Sequence, residues 1–471
     1  MITPKIEEIK TSLSAFNIFE LIKDEPYSFI LDSSSTAHDP DLSRYSFLGS
    51  KPFTILRSKG SDIELIHHDL VEKVRGDPFS VLRDLLKKYH VTEKNRGIPF
   101  QCGAVGYFGY ELYAFTEENL PQPAPDDTGI PDCYIGFYDP IIAYDHILSK
   151  AYVITCGFSH DSKTKVKRIK RLIALAGDAQ SIRQTPQSPQ AKPSACFRSN
   201  FTQDTYIKAI EDIKEYIARG DVYQVNLSQR FAAEFDSDAF ELYRKLRQVN
   251  PAPFSAFMHF DKIKILSSSP ERFLKMKDGI IETRPIKGTR PRGSSKEEDS
   301  LLRNELRQSK KDQAEHVMIV DLERNDLGRI CKYSTISVEK LADLEEYATV
   351  FHLVSTISGK VAKGKDAVDC LKACFPGGSI TGAPKIRSIQ IIREMEPNRR
   401  DIYTGSIGYI SFGGNMDTSI VIRSLLIKDT NCYLYAGGGI VADSNPQSEY
   451  EETFHKIKAF MKTLDTQKVP G

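Results

Sequence analysis

The chain has 471 residues, 40% of them hydrophobic and 27% charged, which is enough for a large buried core and for roughly two to four domains. Its 64 Lys and Arg balance 63 Asp and Glu, so no charge excess points to nucleic acid or to an anionic membrane surface, and a small molecule is the expected partner. No apolar run approaches the ~20 residues that span a bilayer, and the eight cysteines offer neither a CxxC pair nor a common zinc spacing, so they read as reduced core thiols.

The opening MITPKIEEIKTSLSAFNIFEL carries acids where a secretory signal needs an apolar core, which gives the expectation of a cytoplasmic protein without a membrane segment. Residues 1–176 mix short apolar runs (SFILDS, KPFTIL, IIAYD, AYVIT) with turn residues, as in several strands joined by loops. A helix is expected over Phe79 to His90, whose apolar residues recur three to four apart. Residues 177–199, rich in Gln, Pro and Ser, cannot pack a core and read as a surface connection to a second region, 200–465. There Thr202 is placed to cap a helix lined by Ile207, Ile210, Ile213 and Ile217 and ended by Gly220. Strands are expected at 222–231, 262–268, 280–286, 402–412, 417–427 and 432–442, and helices at 296–308, 312–326, 384–395 and 446–464. Strands and helices in runs, without βαβ alternation, argue for an α+β fold.

Five constellations carry chemistry. In Arg284-Pro-Ile-Lys287-Gly288-Thr289-Arg290-Pro-Arg292, four cations fall within nine residues. The segment is either a solvated basic loop or a site where neighbouring arginines lower the pKa of Lys287 and free its amine. Glu271 precedes Lys287 by 16 residues, a separation a β-hairpin can fold back into one cavity, where a carboxylic acid beside an amine can protonate a leaving hydroxyl. Glu271 is equally suited to a surface pair with Arg272 or Arg284.

Glu315, Glu449 and Glu452 lie on two expected helices, and Glu449 and Glu452 share a face, as oxygen ligands of Mg²⁺ would. The same residues also fit a capping box with Asp312, a first-turn dipole and an i,i+4 pair with Lys456. The glycine-rich FPGGSITGAPK and AGGGIVAD let backbone amides approach an anion, yet neither has a Walker A or GxGxxG pattern. Arg423 alternates with apolar neighbours on a strand expected to be buried, where it needs an anionic partner. His352 has the surroundings of a core histidine.

The order and wording of these motifs resemble the chorismate-utilising enzymes over about residues 197–464: DVYQVNLSQR, SSSPERF, RPIKGTRPRG, AEHVMIVDLERNDLGR, FPGGSITGAPKIR, IYTGSIGY, SIVIRS and GGGIVADSNPQSEYEET. SRYSFLGSKP and GAVGYFGYE carry a looser likeness in the N-terminal region. The resemblance implies two large antiparallel sheets packed as a sandwich with helices around them. It also implies Mg²⁺ held by Glu315 and Glu452 with Glu449 beside them, and one chorismate carboxylate on that metal. The other carboxylate is expected on Arg423 and the backbone of Gly437, Gly438 and Gly439, with Tyr403, Gly288, Thr289, Lys456 and His352 completing the pocket.

Two positions separate the branches of the family. The water-adding isochorismate and salicylate synthases carry a lysine base where Gln224 stands, and an amide cannot take that proton. Anthranilate synthases typically carry Ala where Lys287 stands; Lys there resembles the aminodeoxychorismate synthase branch. That branch implies amination of chorismate at C4, with Lys287 as nucleophile, Glu271 as acid and ammonia from a separate glutaminase partner. The alternatives are amination at C2 with pyruvate release, and a silent scaffold subunit.

Overall fold

The computed structural model describes residues 2–33, 40–67, 70–92, 97–180, 196–347 and 350–464. Two twelve-stranded sheets, antiparallel throughout, form the body. The first runs in the order Lys5–Ile9, Lys150–Thr155, Ile141–Asp145, Tyr45–Gly49, Ser28–Asp32, Phe254–Phe260, Ile263–Ser269, Ser424–Lys428, Asn431–Ile440, Gln224–Glu234 and Arg198–Ser199. Gly382–Ala383 adds to it beside Gln224–Glu234. The second runs Ile286–Pro291, Val350–Lys360, Ile280–Arg284, Arg272–Lys277, Met416–Ile420, Ser406–Ser411, Gly103–Phe108, Cys133–Tyr138, Thr54–Lys59, Asp62–His67 and Leu70–Arg75. Ser337–Glu346 pairs with Val350–Lys360.

The inner strands of the first sheet read as continuous apolar runs because both faces are covered. Phe29, Phe47 and Ile141 point to the core between the sheets, where they meet Leu56, Val105, Phe137 and Tyr409. Their neighbours Ile30, Leu48 and Ile142 point the other way, into a second core with Phe16, Phe240 and Phe460 from helices on the outer face. Each fully buried side chain of this size contributes on the order of 1.5–3 kcal/mol. The sandwich and its helical cover are the architecture implied by the motifs.

The N-terminal and C-terminal regions interleave in both sheets. Ser28–Asp32 pairs with Phe254–Phe260, and Gly103–Phe108 with Ser406–Ser411. The connection expected over 177–199 falls largely outside the described residues, at 181–195. Its first residues instead continue the helix Ser162–Gln180, and its last form the strand Arg198–Ser199.

Most helices lie where periodicity put them, including Pro78–Lys88, Lys296–Gln308, Lys385–Met395 and Pro446–Thr463. Thr202 caps Gln203–Ala218, its hydroxyl accepting from the Thr205 amide. Tyr206, Ala209, Ile210 and Ile213 are the residues it buries. The helix expected at 312–326 starts earlier, at Lys310, because Ser309 caps it by accepting from the Asp312 amide. Asp312 therefore does not cap it, and Glu315 is left free of the capping box. The strand expected at 417–427 is two strands, Met416–Ile420 and Ser424–Lys428, one in each sheet.

Candidate active site

The chain passes from one sheet to the other twice at the same place. It leaves the first sheet after Ser269 and enters the second at Arg272, with Glu271 in the step; it leaves the second after Ile420 and enters the first at Ser424, with Arg423 in the step. The two crossings are stitched together by Ser268 N to Arg423 O at 3.0 Å, Ile420 N to Glu271 O at 3.1 Å and the Ser269 hydroxyl to Ile420 O at 2.6 Å. Arg423 adopts a left-handed φ of 49°, which turns the chain between sheets and takes it out of the alternating strand expected from sequence.

A cavity of about 920 Å³ opens where the sheets part, and the fourteen residues expected to be catalytic, to bind substrate or to hold metal all line it: Lys287, Glu271, Gly288, Thr289, Tyr403, Arg423, Gly437, Gly438, Gly439, Lys456, His352, Glu315, Glu449 and Glu452.

Glu271 is buried, and its carboxylate pairs with neither Arg272 nor Arg284: Arg272 binds Glu282 and Asp417, and Arg284 binds Glu345. Both hydrogen bonds that Glu271 accepts fall on Oε1, from the Ser379 hydroxyl at 2.6 Å and the Ile286 amide at 3.4 Å. Burial lifts its pKa to about 7, against the pull of Ser379, Lys287 and Arg423. A proton on this acid therefore belongs on Oε2.

Lys287 lies on the strand Ile286–Pro291, which forms the sheet's edge against the helix Lys310–Gly328. The cavity reaches its side chain, so it is only partly covered by surface area, but it is deep enough for desolvation to lower its pKa. Glu315 and Glu271 oppose that fall and Lys456 adds to it. The arginines expected to lower it do not face it, since Arg290 binds Glu305 and Asp312, and Arg292 binds Asp299. The following Gly288 has φ +78°, and a side chain there would press on Leu306 at 3.0 Å and Asp312 at 3.2 Å.

Two helices bring the acids. Glu315 projects from Lys310–Gly328, with Lys311 3.9 Å away; Glu449 accepts from the Ser444 hydroxyl at 2.7 Å; Glu452 pairs with Lys456 at 2.7 Å, the i,i+4 contact read as one alternative. Asn445 caps the helix Pro446–Thr463, so Glu449 lies in its first turn. Burial raises the pKa of Glu315, with Glu449 adding to the rise, and that of Glu449, with Glu452 adding to it, whereas Lys456 lowers that of Glu452. Among the described residues no three His, Cys, Asp or Glu groups stand at the spacing of a closed metal cage. Carboxylates gathered at a cavity wall are nevertheless the donor type that suits Mg²⁺, which takes one or two protein carboxylates and fills its other positions with water and substrate oxygen.

Beside the acids, Gly437, Gly438 and Gly439 pair with Ser228, Leu227 and Asn226. A β-carbon on Gly438 would stand 3.1 Å from Glu449 Oε2, so this glycine faces the acid. On the opposite face, a β-carbon on Gly439 would overlap the amide of Gln224, which is fully buried behind the strand. Lys456 donates to Gly437 O at 2.7 Å. Burial lowers the pKa of Arg423, and Glu271 is the group opposing that fall. His352 Nδ1 and the Thr289 hydroxyl are 2.9 Å apart, and burial holds the imidazole neutral, at about 3. Tyr403 stacks on Tyr435, with centroids 5.2 Å apart.

Sequence reasoning missed the residues that hold this frame. Arg400 donates to Glu396, Asn226 O, Ile380 O and Thr404 Oγ1 and lies under Tyr110 and Tyr403. Ser379 and Asn226 meet through a 2.8 Å bond from the Asn226 amide to Ser379 O. Ser379 sits in a glycine-rich segment whose sequence points to its backbone amides, and a serine between a glycine and an isoleucine carries no signal of its own.

Residues 38–462 match the family model described as chorismate binding enzyme. The chain belongs to the chorismate binding enzymes. It is 36% identical over 467 residues to anthranilate synthase component 1 of Acetivibrio thermocellus, covering 97% of this chain and 93% of that one. It is 39% identical over 454 residues to aminodeoxychorismate synthase component 1 of Escherichia coli, covering 95% of each. The solved structure of anthranilate synthase component I from Streptococcus pneumoniae superposes with a TM-score of 0.78 at 32% identity, over 88% of this chain and 91% of that one. These three proteins carry the names of two activities. Among the described residues no helix is long and apolar enough to cross a membrane.

Proposed function

We propose that this chorismate binding enzyme aminates chorismate at C4, giving 4-amino-4-deoxychorismate from ammonia supplied by a glutaminase partner, the step that opens para-aminobenzoate and folate synthesis. The observation that carries the reading is Lys287: a cavity-lining amine whose pKa burial lowers, with Glu271 among the groups facing it. The neutral Lys287 amine bonds to ring C2 as Glu271 passes its proton to the C4 hydroxyl, which leaves as water. Ammonia then bonds to C4 as Lys287 leaves C2, and the proton shed by the new amine returns to Glu271. Chorismate and ammonia become the amino product and water, and the enolpyruvyl group stays.

Arg423 and the amides of Gly437–Gly439 bind one carboxylate of the substrate. Glu315 and Glu452, with Glu449 beside them, would hold Mg²⁺, which supplies a positive charge for the other carboxylate. Tyr403, Gly288, Thr289, His352 and Lys456 complete the pocket around them. Gln224 lies behind the glycine strand and has no basic atom, so water is not activated from that side.

The anthranilate synthase names among the relatives favour a second reading, amination at C2 with loss of pyruvate. Incubation with chorismate, Mg²⁺ and ammonium chloride decides between them. The expected result is para-aminobenzoate only after a lyase for the amino product is added. Ortho-aminobenzoate and pyruvate without the lyase refute the C4 reading, and no consumption of chorismate leaves a scaffold role.

A further inference from the structure

Behind the cavity wall lies an acid that this mechanism does not use. Glu323, on the helix Lys310–Gly328, is 2% exposed; its Oε1 accepts the Gly378 amide at 3.0 Å, and its Oε2 has no hydrogen-bonding partner among the described residues. Gly378 opens the short turn Gly378–Ile380, and the next residue, Ser379, donates to Glu271 Oε1. The turn is pinned from the other sides by Asn226 on Ser379 O and Arg400 on Ile380 O. Without Glu323, the buried Gly378 amide loses its acceptor, and the turn, held only by its far-side bonds, tilts the Ser379 hydroxyl away from Glu271.

We propose that Glu323 is a positioning residue for Glu271: by fixing the Gly378 amide it aims the Ser379 hydroxyl at Oε1 and so keeps the acid's proton on Oε2, where it can reach the substrate.

The inference rests on Glu271 being the acid of the proposed reaction. Glu323 faces Asp326, Lys385 and Glu271; Lys385 is engaged with Asp326 and with Cys374 O. Burial and Asp326 raise the pKa of Glu323, which favours a neutral acid whose Oε1 remains an acceptor. A glutamine offers the same acceptor. Glu271 in turn faces Lys287 and Arg423, and the Ser379 hydroxyl favours its ionised form. Losing that hydroxyl must therefore move the basic limb of the rate profile to higher pH while the plateau falls through misplacement, a pair of changes that simple loosening of the fold does not produce.

The test measures chorismate consumption against pH, with saturating ammonium chloride and Mg²⁺. Ser379→Ala and Glu323→Leu are each expected to lower the plateau kcat about tenfold, to move the basic limb upward and to leave the chorismate KM in place. The double variant should be no worse than either single one, and Glu323→Gln should stay close to wild type. A wild-type limb in Ser379→Ala or Glu323→Leu, additive losses in the double variant, or a Glu323→Gln as impaired as Glu323→Leu overturns the proposal. If Glu323→Leu does not fold, Glu323→Asp withdraws the oxygen from Gly378 and must shift the limb the same way; an unmoved limb overturns the proposal there too. A wild type that consumes no chorismate sinks the proposed function, whereas active wild type with unchanged variants sinks only the role of Glu323.

Discussion

Replacing Arg400 by Met removes the cation that ties the cavity wall together. Arg400 is 2% exposed, and its guanidinium spans Glu396 by two bonds of 2.7 and 2.8 Å, Asn226 O at 2.8 Å, and Ile380 O and Thr404 Oγ1 at 3.2 Å. Methionine fills much of the volume, so the cost lies in polar groups left behind. Breaking a buried ion pair from one side costs about 3–5 kcal/mol. Glu396 keeps the Ser228 amide at 2.8 Å and hydroxyl at 2.9 Å, but both fall on Oε1, and Oε2 loses the donor described for it. That places the expected loss near the lower end, about 3 kcal/mol, or roughly a hundredfold in the folding equilibrium. Urea unfolding followed by circular dichroism at pH 7.5 measures it. Adding Glu396→Gln removes the stranded charge and is expected to recover about half of the loss. A deficit under about 1 kcal/mol, or a double variant weaker than Arg400→Met, would refute the reasoning.

Lys287→Ala is expected to abolish formation of the C4 amino product and to let C2 amination emerge, read by chromatography of the products; an unchanged C4 rate excludes a covalent lysine. Activity should fall as pH rises through about 7, because Glu271 must carry its proton and burial has lifted its pKa from 4.5 to about 7. In the same interval the unfolded chain ionises where the folded chain resists, so this acid costs stability from about pH 4.5 upward, fully so above about 7. Glu271→Gln should then gain on the order of 3 kcal/mol over wild type at pH 8 and far less at pH 5, and equal gains at both pH values contradict the assignment. Chelation of divalent cations should stop turnover and Mg²⁺ restore it, while calorimetry should show weaker Mg²⁺ binding in Glu315→Gln and Glu452→Gln; unchanged binding in both removes them as ligands.

Local elements were legible because their causes are local. The Thr202 cap, the apolar stripe after it and the Pro446 helix start are each written within a turn or two of chain. The order of the motifs brought together residues that line one cavity. What the sequence concealed depends on partners far along the chain. The strand Phe254–Phe260 is completed by Ser28–Asp32, and nothing in either stretch names the other. Arg423 sits in an alternating run that reads as one strand, and only the change of sheet shows the left-handed turn. The lowered pKa of Lys287 was expected from its arginine neighbours, but each arginine had found an acid elsewhere, and burial does the lowering. Glu315 has capping-box spacing from Asp312, but Ser309, three residues earlier, takes the cap.

The double crossing between sheets has a consequence for how the protein can be divided. Glu271 and Arg423 have their relative place only while both sheets are assembled, and each sheet draws strands from both ends of the chain. Neither a fragment beginning near residue 200 nor one ending there holds the neighbours its own inner strands require. A break within 181–195 therefore separates two pieces that each expose long apolar strand edges and regain the cavity only by finding each other. Such a protein cannot be shortened to its motifs.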